Sequence, residues 1–239
     1  MICLTFDTDW MTESGMSRFL NEFPFPGQGT FFAHEAFKCL TDSVHEVSPH
    51  PFISNLGDWQ QDLKSLSDTL GKPVRGVRAH SCVFSHTIGV GLSELGFEYV
   101  SQANNLFQDG LHPFRHPWGV WELPIYYMDN MDFWTTRNWP QLNHVPFLSK
   151  LIQRAVAGDD LYVFDFHPLH VALNSRTPED YQSVKNKITR DGISPFDLTY
   201  PGRGVRAFFN ELCQEMRDAE NVSLTCSQAL DRWRIDHGH

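Results

Sequence analysis

Short apolar runs alternate along this chain with longer stretches in which apolar residues recur every three or four positions. The runs at 2–6, 30–34, 46–50, 76–80, 99–102, 120–126, 161–167 and 222–225 read as strands, being short and rich in β-branched and aromatic residues. Helical periodicity falls at 13–22, 59–70, 88–95, 146–157, 178–189, 205–219 and 227–233. Two helix starts carry cap signals: Ser227, and Thr177-Pro178-Glu179 as cap, first-turn proline and first-turn acid. Strands that alternate with helices build βαβ units and a parallel sheet. Seven or eight such units in 239 residues predict one α/β domain over 1–239, a barrel that is complete or slightly incomplete. A doubly wound open sheet is the alternative. The stretch 191–204 is longer than an ordinary connection and predicts a mobile loop over the site.

Composition narrows the function classes. The net charge of −10 argues against a general nucleic-acid binder, which needs a basic footprint, and against docking on an anionic membrane. Five cysteines, an odd number with no CxxC pair, do not make a disulfide framework or a zinc ribbon. They read as reduced, mostly buried thiols. The chain runs from Met1 straight into a strand-like segment, without the basic and apolar regions of a signal peptide. No run approaches the ~18 apolar residues of a membrane span. The expectation is a cytoplasmic soluble protein. Histidine is the outlier, at 12 residues. It is the commonest metal ligand and the usual acid or base near neutral pH.

The reactive residues fall just after predicted strands. The first strand ends in Asp7-Thr8-Asp9, the second runs into His34, and the third into Pro49-His50-Pro51. The fourth runs into Arg78-Ala79-His80 and a later one into His167-Pro168. In a parallel α/β fold these positions converge at the C-terminal ends of the strands. Two carboxylates and several histidines gathered there suit a divalent metal together with an acid/base pair. Singly, each has an ordinary reading: Asp9 as a helix cap, His50 as an extended turn, His80 as a half-buried core histidine. Their joint order is much harder to obtain by chance.

That order resembles the polysaccharide deacetylase family, the NodB-homology carbohydrate esterases. The likeness runs from Leu4 to about Leu173 and rests on Leu4-Thr5-Phe6-Asp7-Thr8-Asp9, Gly29-Thr30-Phe31-Phe32, His45-Glu46-Val47-Ser48-Pro49-His50-Pro51, Gly76-Val77-Arg78-Ala79-His80-Ser81, Val120-Trp121-Glu122-Leu123-Pro124 and Phe164-Asp165-Phe166-His167-Pro168-Leu169-His170. The resemblance implies a distorted or incomplete (β/α) barrel of about seven parallel strands. It implies Asp7 as general base, Asp9 and His50 as ligands of one divalent ion with zinc the first choice, and His167 as general acid. It also implies Arg78 pairing with Asp7, a backbone N–H after Arg78 at the oxyanion, and a further aspartate at Asp129 or Asp132.

The chain departs from the family at the second metal histidine, four residues after His50, where it has Ser54. His80 stands where the family has proline and would restore a third ligand from the next strand. Asp9 and His50 with waters, or with His34, is the alternative ligand set, and loss of the metal is another. His-Pro in one motif and Arg-x-His in the next are similar to a divergent branch encoded with O-antigen biosynthesis. The implied reaction is metal-assisted removal of an N-acyl group from a sugar. An intracellular setting favours a sugar-nucleotide or lipid-linked substrate. Trp10, Trp121 and His34 are the candidate substrate contacts. Asp165 is assigned a structural part, turned away from His167. Two rivals share the barrel: a hydrolase of small cyclic amides, and a metal-free sugar-binding pseudoenzyme.

Overall fold

The computed structural model describes residues 1–53 and 58–238, without the side chains of residues 136 and 142. In chain order its elements are β1 (Ile2–Asp7), α1 (Glu13–Glu22), β2 (Gly29–Ala33), α2 (Lys38–Thr41), β3 (Glu46–Pro49), α3 (Trp59–Thr69) and β4 (Gly76–Val77). Then come α4 (His86–Glu94), β5 (Tyr99–Val100), β6 (Phe114–Arg115), β7 (Trp121–Glu122), β8 (Ile125–Met128), α5 (Asp129–Asn138) and α6 (Ser149–Ala157). The last are β9 (Tyr162–Phe166), α7 (Pro168–Leu173), α8 (Pro178–Thr189), α9 (Val205–Asp218) and α10 (Cys226–His237).

Two sheets form, in the orders β3-β2-β1-β9-β8 and β4-β5-β7-β6. All pairings are parallel except the β6–β7 hairpin. The sheets join at both edges. Arg78 N–H donates to Pro49 O at 3.3 Å and His80 N–H to Pro51 O at 2.9 Å, carrying β4 alongside β3. At the other edge β7 and β8 form one stave that changes sheet at Pro124, which has no N–H to give a ladder. Counting that stave once, the parallel strands make a distorted barrel of seven, as the motifs imply.

Side-chain alternation sorts the layers. On β1, Leu4 and Phe6 face the helices; Phe6 stacks on Phe31 at 4.6 Å between centroids and packs edge-on to Phe209 of α9. Cys3 faces the interior with Phe32 and Val163. The same interior face turns polar toward the strand ends: in the parallel register Cys3 lies beside Val163 but Thr5 beside Asp165. This switch places the chemistry at one end of the barrel.

Some expectations are corrected. Residues 222–225 are not a strand: Ser223 bridges Gly27, and Thr225 caps α10 in a capping box with Gln228. The cap is therefore Thr225, not Ser227. Helices α5 and α7 were not expected, since neither shows strong amphipathic spacing. In α7 Pro168 takes the first position, where its missing N–H costs nothing. Thr177 does cap α8, accepting from Asp180 N–H at 3.3 Å. The 191–204 segment holds a single 3-10 turn, Pro195–Leu198, is tied to the end of α7, and lines the groove beside Trp10 rather than the histidine cavity. Tyr200 N–H donates to Leu173 O, and Asn174 Nδ2 to Tyr200 O and Gly202 O, all within 2.9 Å. Among the described residues no helix is long and apolar enough to cross a membrane.

Candidate active site

Six motif residues meet at the C-terminal ends of β1, β3, β4 and β9. Asp7, Asp9, His50, His80 and His167 line one cavity of about 230 Å³, and Arg78 lies beneath Asp7. The prolines on both sides of His50 hold it extended. Its backbone N–H donates to Ala33 O and its Nδ1 to Arg78 O, both at 2.8 Å. Nε2 is thereby turned to the cavity. His80 opens a 3-10 turn in which Ser81 and Cys82 both have left-handed backbone, φ 57° and 51°. Strain of this kind, about 1 kcal/mol or more per residue, persists where the surroundings enforce it, and it concentrates at functional sites.

The donor set fits a cation. Asp9 Oδ2, His50 Nε2 and His80 Nδ1 are buried and have no hydrogen-bond partner. The large majority of buried polar side-chain atoms in proteins are partnered, and here three of the unpartnered ones converge on one point. His50 Nε2 lies 3.3 Å from Asp9 Oδ2, and His80 Nδ1 lies 3.1 Å from Asp9 Oδ1. The three residues form one group with mutual ligand-atom distances within 4.8 Å. Burial pushes the Asp9 carboxyl up, but His50 and His80 outweigh it and hold Asp9 below the usual carboxylate range. The Nδ1 contact of His50 to a backbone carbonyl fixes the tautomer that a ligand needs. A second group, Asp7, Asp9 and His167, overlaps the first through Asp9.

Each flank is braced from below. Fully buried Arg78 donates from Nη1 to Asp7 Oδ1 and Thr5 Oγ1, both at 3.0 Å, and to Asp165. Its Nε and Nη2 go to Ser101 O and Oγ, and Phe32 lies under its guanidinium at 4.2 Å. On the other flank, Asp129 accepts the His167 backbone N–H and the ring Nδ1, each at 2.8 Å. Burial opposes charge on His167, but Asp129, joined by Asp165 and Asp7, more than offsets it and raises the imidazolium to about 10.

Asp129 and Asp132 were equal candidates in the sequence, and the structure separates them. Asp132 accepts from Tyr127 Oη and Phe147 N–H and contacts His144, away from the cavity. Asp165 also needs correction. Residues two apart share a strand face, so Asp165 points inward on the side of Asp7 and bears on Arg78. Burial drives its carboxyl up to about 7 despite that partner.

Trp121 is buried in the core beside Tyr99 and Leu123, at the end of its stave remote from Met128. It cannot touch a ligand in the cavity. Trp10 is half exposed beside Asp9 and lines a groove with Arg18 and Ile193. His34 is partly buried, its Nδ1 3.5 Å from Thr8 Oγ1, and stands outside both ligand groups. The backbone N–H groups after Arg78 are engaged: Ala79 donates to Gln102 Oε1 and His80 to Pro51 O. Gln102, buried at the end of β5, gave no signal in the sequence. Ser54 lies outside the described residues.

Residues 4–185 match a family of polysaccharide deacetylases, and the chain belongs to it. That family is the WbmS-like one. No curated protein matches. A structure from Bordetella bronchiseptica, described as a polysaccharide deacetylase involved in O-antigen biosynthesis, is similar with TM-score 0.73 and 21% identity, over 89% of each chain. One from Mycobacterium smegmatis, also described as a polysaccharide deacetylase, is similar with TM-score 0.55 and 18% identity, over 99% of this chain and 90% of that one. Both likenesses are of fold.

Proposed function

We propose that the protein is a metal-dependent hydrolase that removes an N-acyl group, acetyl first, from a sugar in O-antigen or other surface-polysaccharide biosynthesis. One observation carries the reading: three unpartnered ligand atoms of Asp9, His50 and His80 stand between a carboxylate braced by Arg78 and an imidazole braced by Asp129.

Asp9, His50 and His80 would hold the ion, zinc being our choice for an oxygen/nitrogen donor set. When bound, such an ion supplies Lewis acidity at the acyl carbonyl and makes water easier to deprotonate. Asp7 takes the proton of the attacking water, whose oxygen bonds to the acyl carbon. Arg78 keeps the Asp7 carboxylate oriented. The C–N bond breaks as His167 passes its Nε2 proton to the leaving nitrogen, giving a carboxylic acid and an amino sugar. The raised acidity range of His167 keeps it protonated for that step at neutral pH.

Trp10 offers an exposed ring to a sugar face, and His34 a contact at the rim. We place the reaction in the cytoplasm, on a nucleotide-linked or lipid-linked sugar; the five free cysteines support a reducing setting. The test is amine and acid release from N-acetylated amino sugars and their nucleotide conjugates, with and without added zinc. No release with zinc-loaded protein on any of them would reject the reading.

A further inference from the structure

The cavity has a wall that the chemistry above leaves unused, made of Asn104, Met128, Asn130 and Met131. On it Asn130 Oδ1 is buried with no hydrogen-bond partner. A buried amide oxygen is ordinarily satisfied within the protein, so this one is set for a donor that arrives with the ligand. Its place in the chain says which donor. Asn130 directly follows Asp129, the residue that holds His167 by both its ring and its backbone N–H. The free acceptor therefore follows directly on the residue that braces the proton donor, and Asn130 and His167 line the same cavity. In an amide that leaving atom carries a hydrogen. In an ester it is an oxygen without one. Met128 and Met131 give the same wall a soft apolar surface against which an acyl chain can lie.

We infer that Asn130 is a specificity-determining residue, whose Oδ1 accepts the N–H of an N-acyl amino sugar and so selects amides over O-acyl esters. The inference rests on the deacetylase reading of this cavity. A site built to hydrogen-bond a substrate N–H discriminates strongly against the analogue that lacks it, because its own polar group is then left unpaired.

The test uses two probes, the methyl glycosides of N-acetylglucosamine and of 2-O-acetylglucose, with the zinc-loaded full chain. Binding is read by calorimetry and turnover by acetate release. The wild type should favour the amide probe at least about tenfold in binding. Asn130→Leu, similar in volume, should bring that ratio to within about threefold. Asn130→Asp keeps an acceptor oxygen, and its charge is tolerated in the first turn of α5; it should retain the preference. Circular dichroism checks that each variant is folded. A wild type without preference overturns the inference. So does a folded Asn130→Leu that loses both probes by the same factor, or an Asn130→Asp that behaves like Asn130→Leu. Selective binding without turnover counts against the hydrolase reading and supports the role of Asn130.

Discussion

The imidazole Nδ1 of His167 stands 2.8 Å from Oδ1 of Asp129, while the other oxygen of that carboxylate takes the His167 backbone N–H. One buried aspartate thus fixes the rotamer, the tautomer and the charge of the imidazole we propose as the proton donor. Asp129→Asn keeps the shape but presents a donor to Nδ1 in one of its orientations. Acyl release should fall about 10²–10⁴-fold, with substrate affinity changed far less. Steady-state kcat and KM separate the two. An unchanged kcat would remove Asp129 from the proton-transfer machinery.

Arg78 joins the interior of the barrel to the site. Its guanidinium is fully buried and serves Asp7, Asp165, Thr5 and Ser101. Arg78→Met leaves two carboxylates facing each other without a cation. Breaking a buried pair in this way costs about 3–5 kcal/mol. Denaturant unfolding should show a loss of that size, along with loss of acyl release. A variant as stable as the wild type would show that the network is not a structural brace.

His80 is the most exposed of the three proposed ligands: its ring rests on Phe52 at 4.4 Å, and its side chain is about a third exposed. His80→Ala should weaken metal retention at least about tenfold, the scale already seen when only outer partners of a ligand are removed. His34→Ala should leave retention unchanged. Metal content after dialysis against a weak chelator measures both. Equal loss in the two variants, or none in His80→Ala, would move the third ligand elsewhere.

Much of this arrangement was legible in the sequence because strand ends are local signals. Asp7, Asp9, His50, Arg78, His80 and His167 each follow a short apolar run, and a parallel barrel brings such positions together. What escaped depends on packing. Asp129 and Asp132 lie one turn apart on α5, and no pattern along the chain says which of them meets His167. Trp121 has the composition of a sugar platform, but Leu123 and α10 cover it in the core. Asn130 gave no signal at all, since an unpartnered oxygen is a property of the folded cavity.

Two histidines away from the metal group make stability fall in acid. His45 accepts from Gly29 N–H at 3.2 Å and packs against Phe25 and Phe31; His170 bonds Ser175 and packs against Phe133 and Tyr181. Burial lowers each to about 4 from an ordinary value of 6.5; the His45 value also reflects Lys72. Between those limits the unfolded chain takes up protons that the folded chain refuses. The contribution of these two histidines is therefore complete above pH 6.5, declines as pH falls, and levels off below about 4. The slope is at most about 1.4 kcal/mol per pH unit for each group, with less from the partly exposed His45. His170→Phe should flatten the slope in denaturant titrations run from pH 7 to pH 5. An unaltered slope would mean that His170 is protonated in the folded protein.

The central claim is that Asp9, His50 and His80 hold a divalent ion on which acyl release depends. The direct measurement titrates chelator-stripped protein with zinc while following bound metal and amine release from an N-acetylated amino sugar together. The account predicts one ion per chain, with amine release rising in proportion and saturating at the same point. Saturation with metal and no amine release, or release at full rate from metal-free protein, would contradict it.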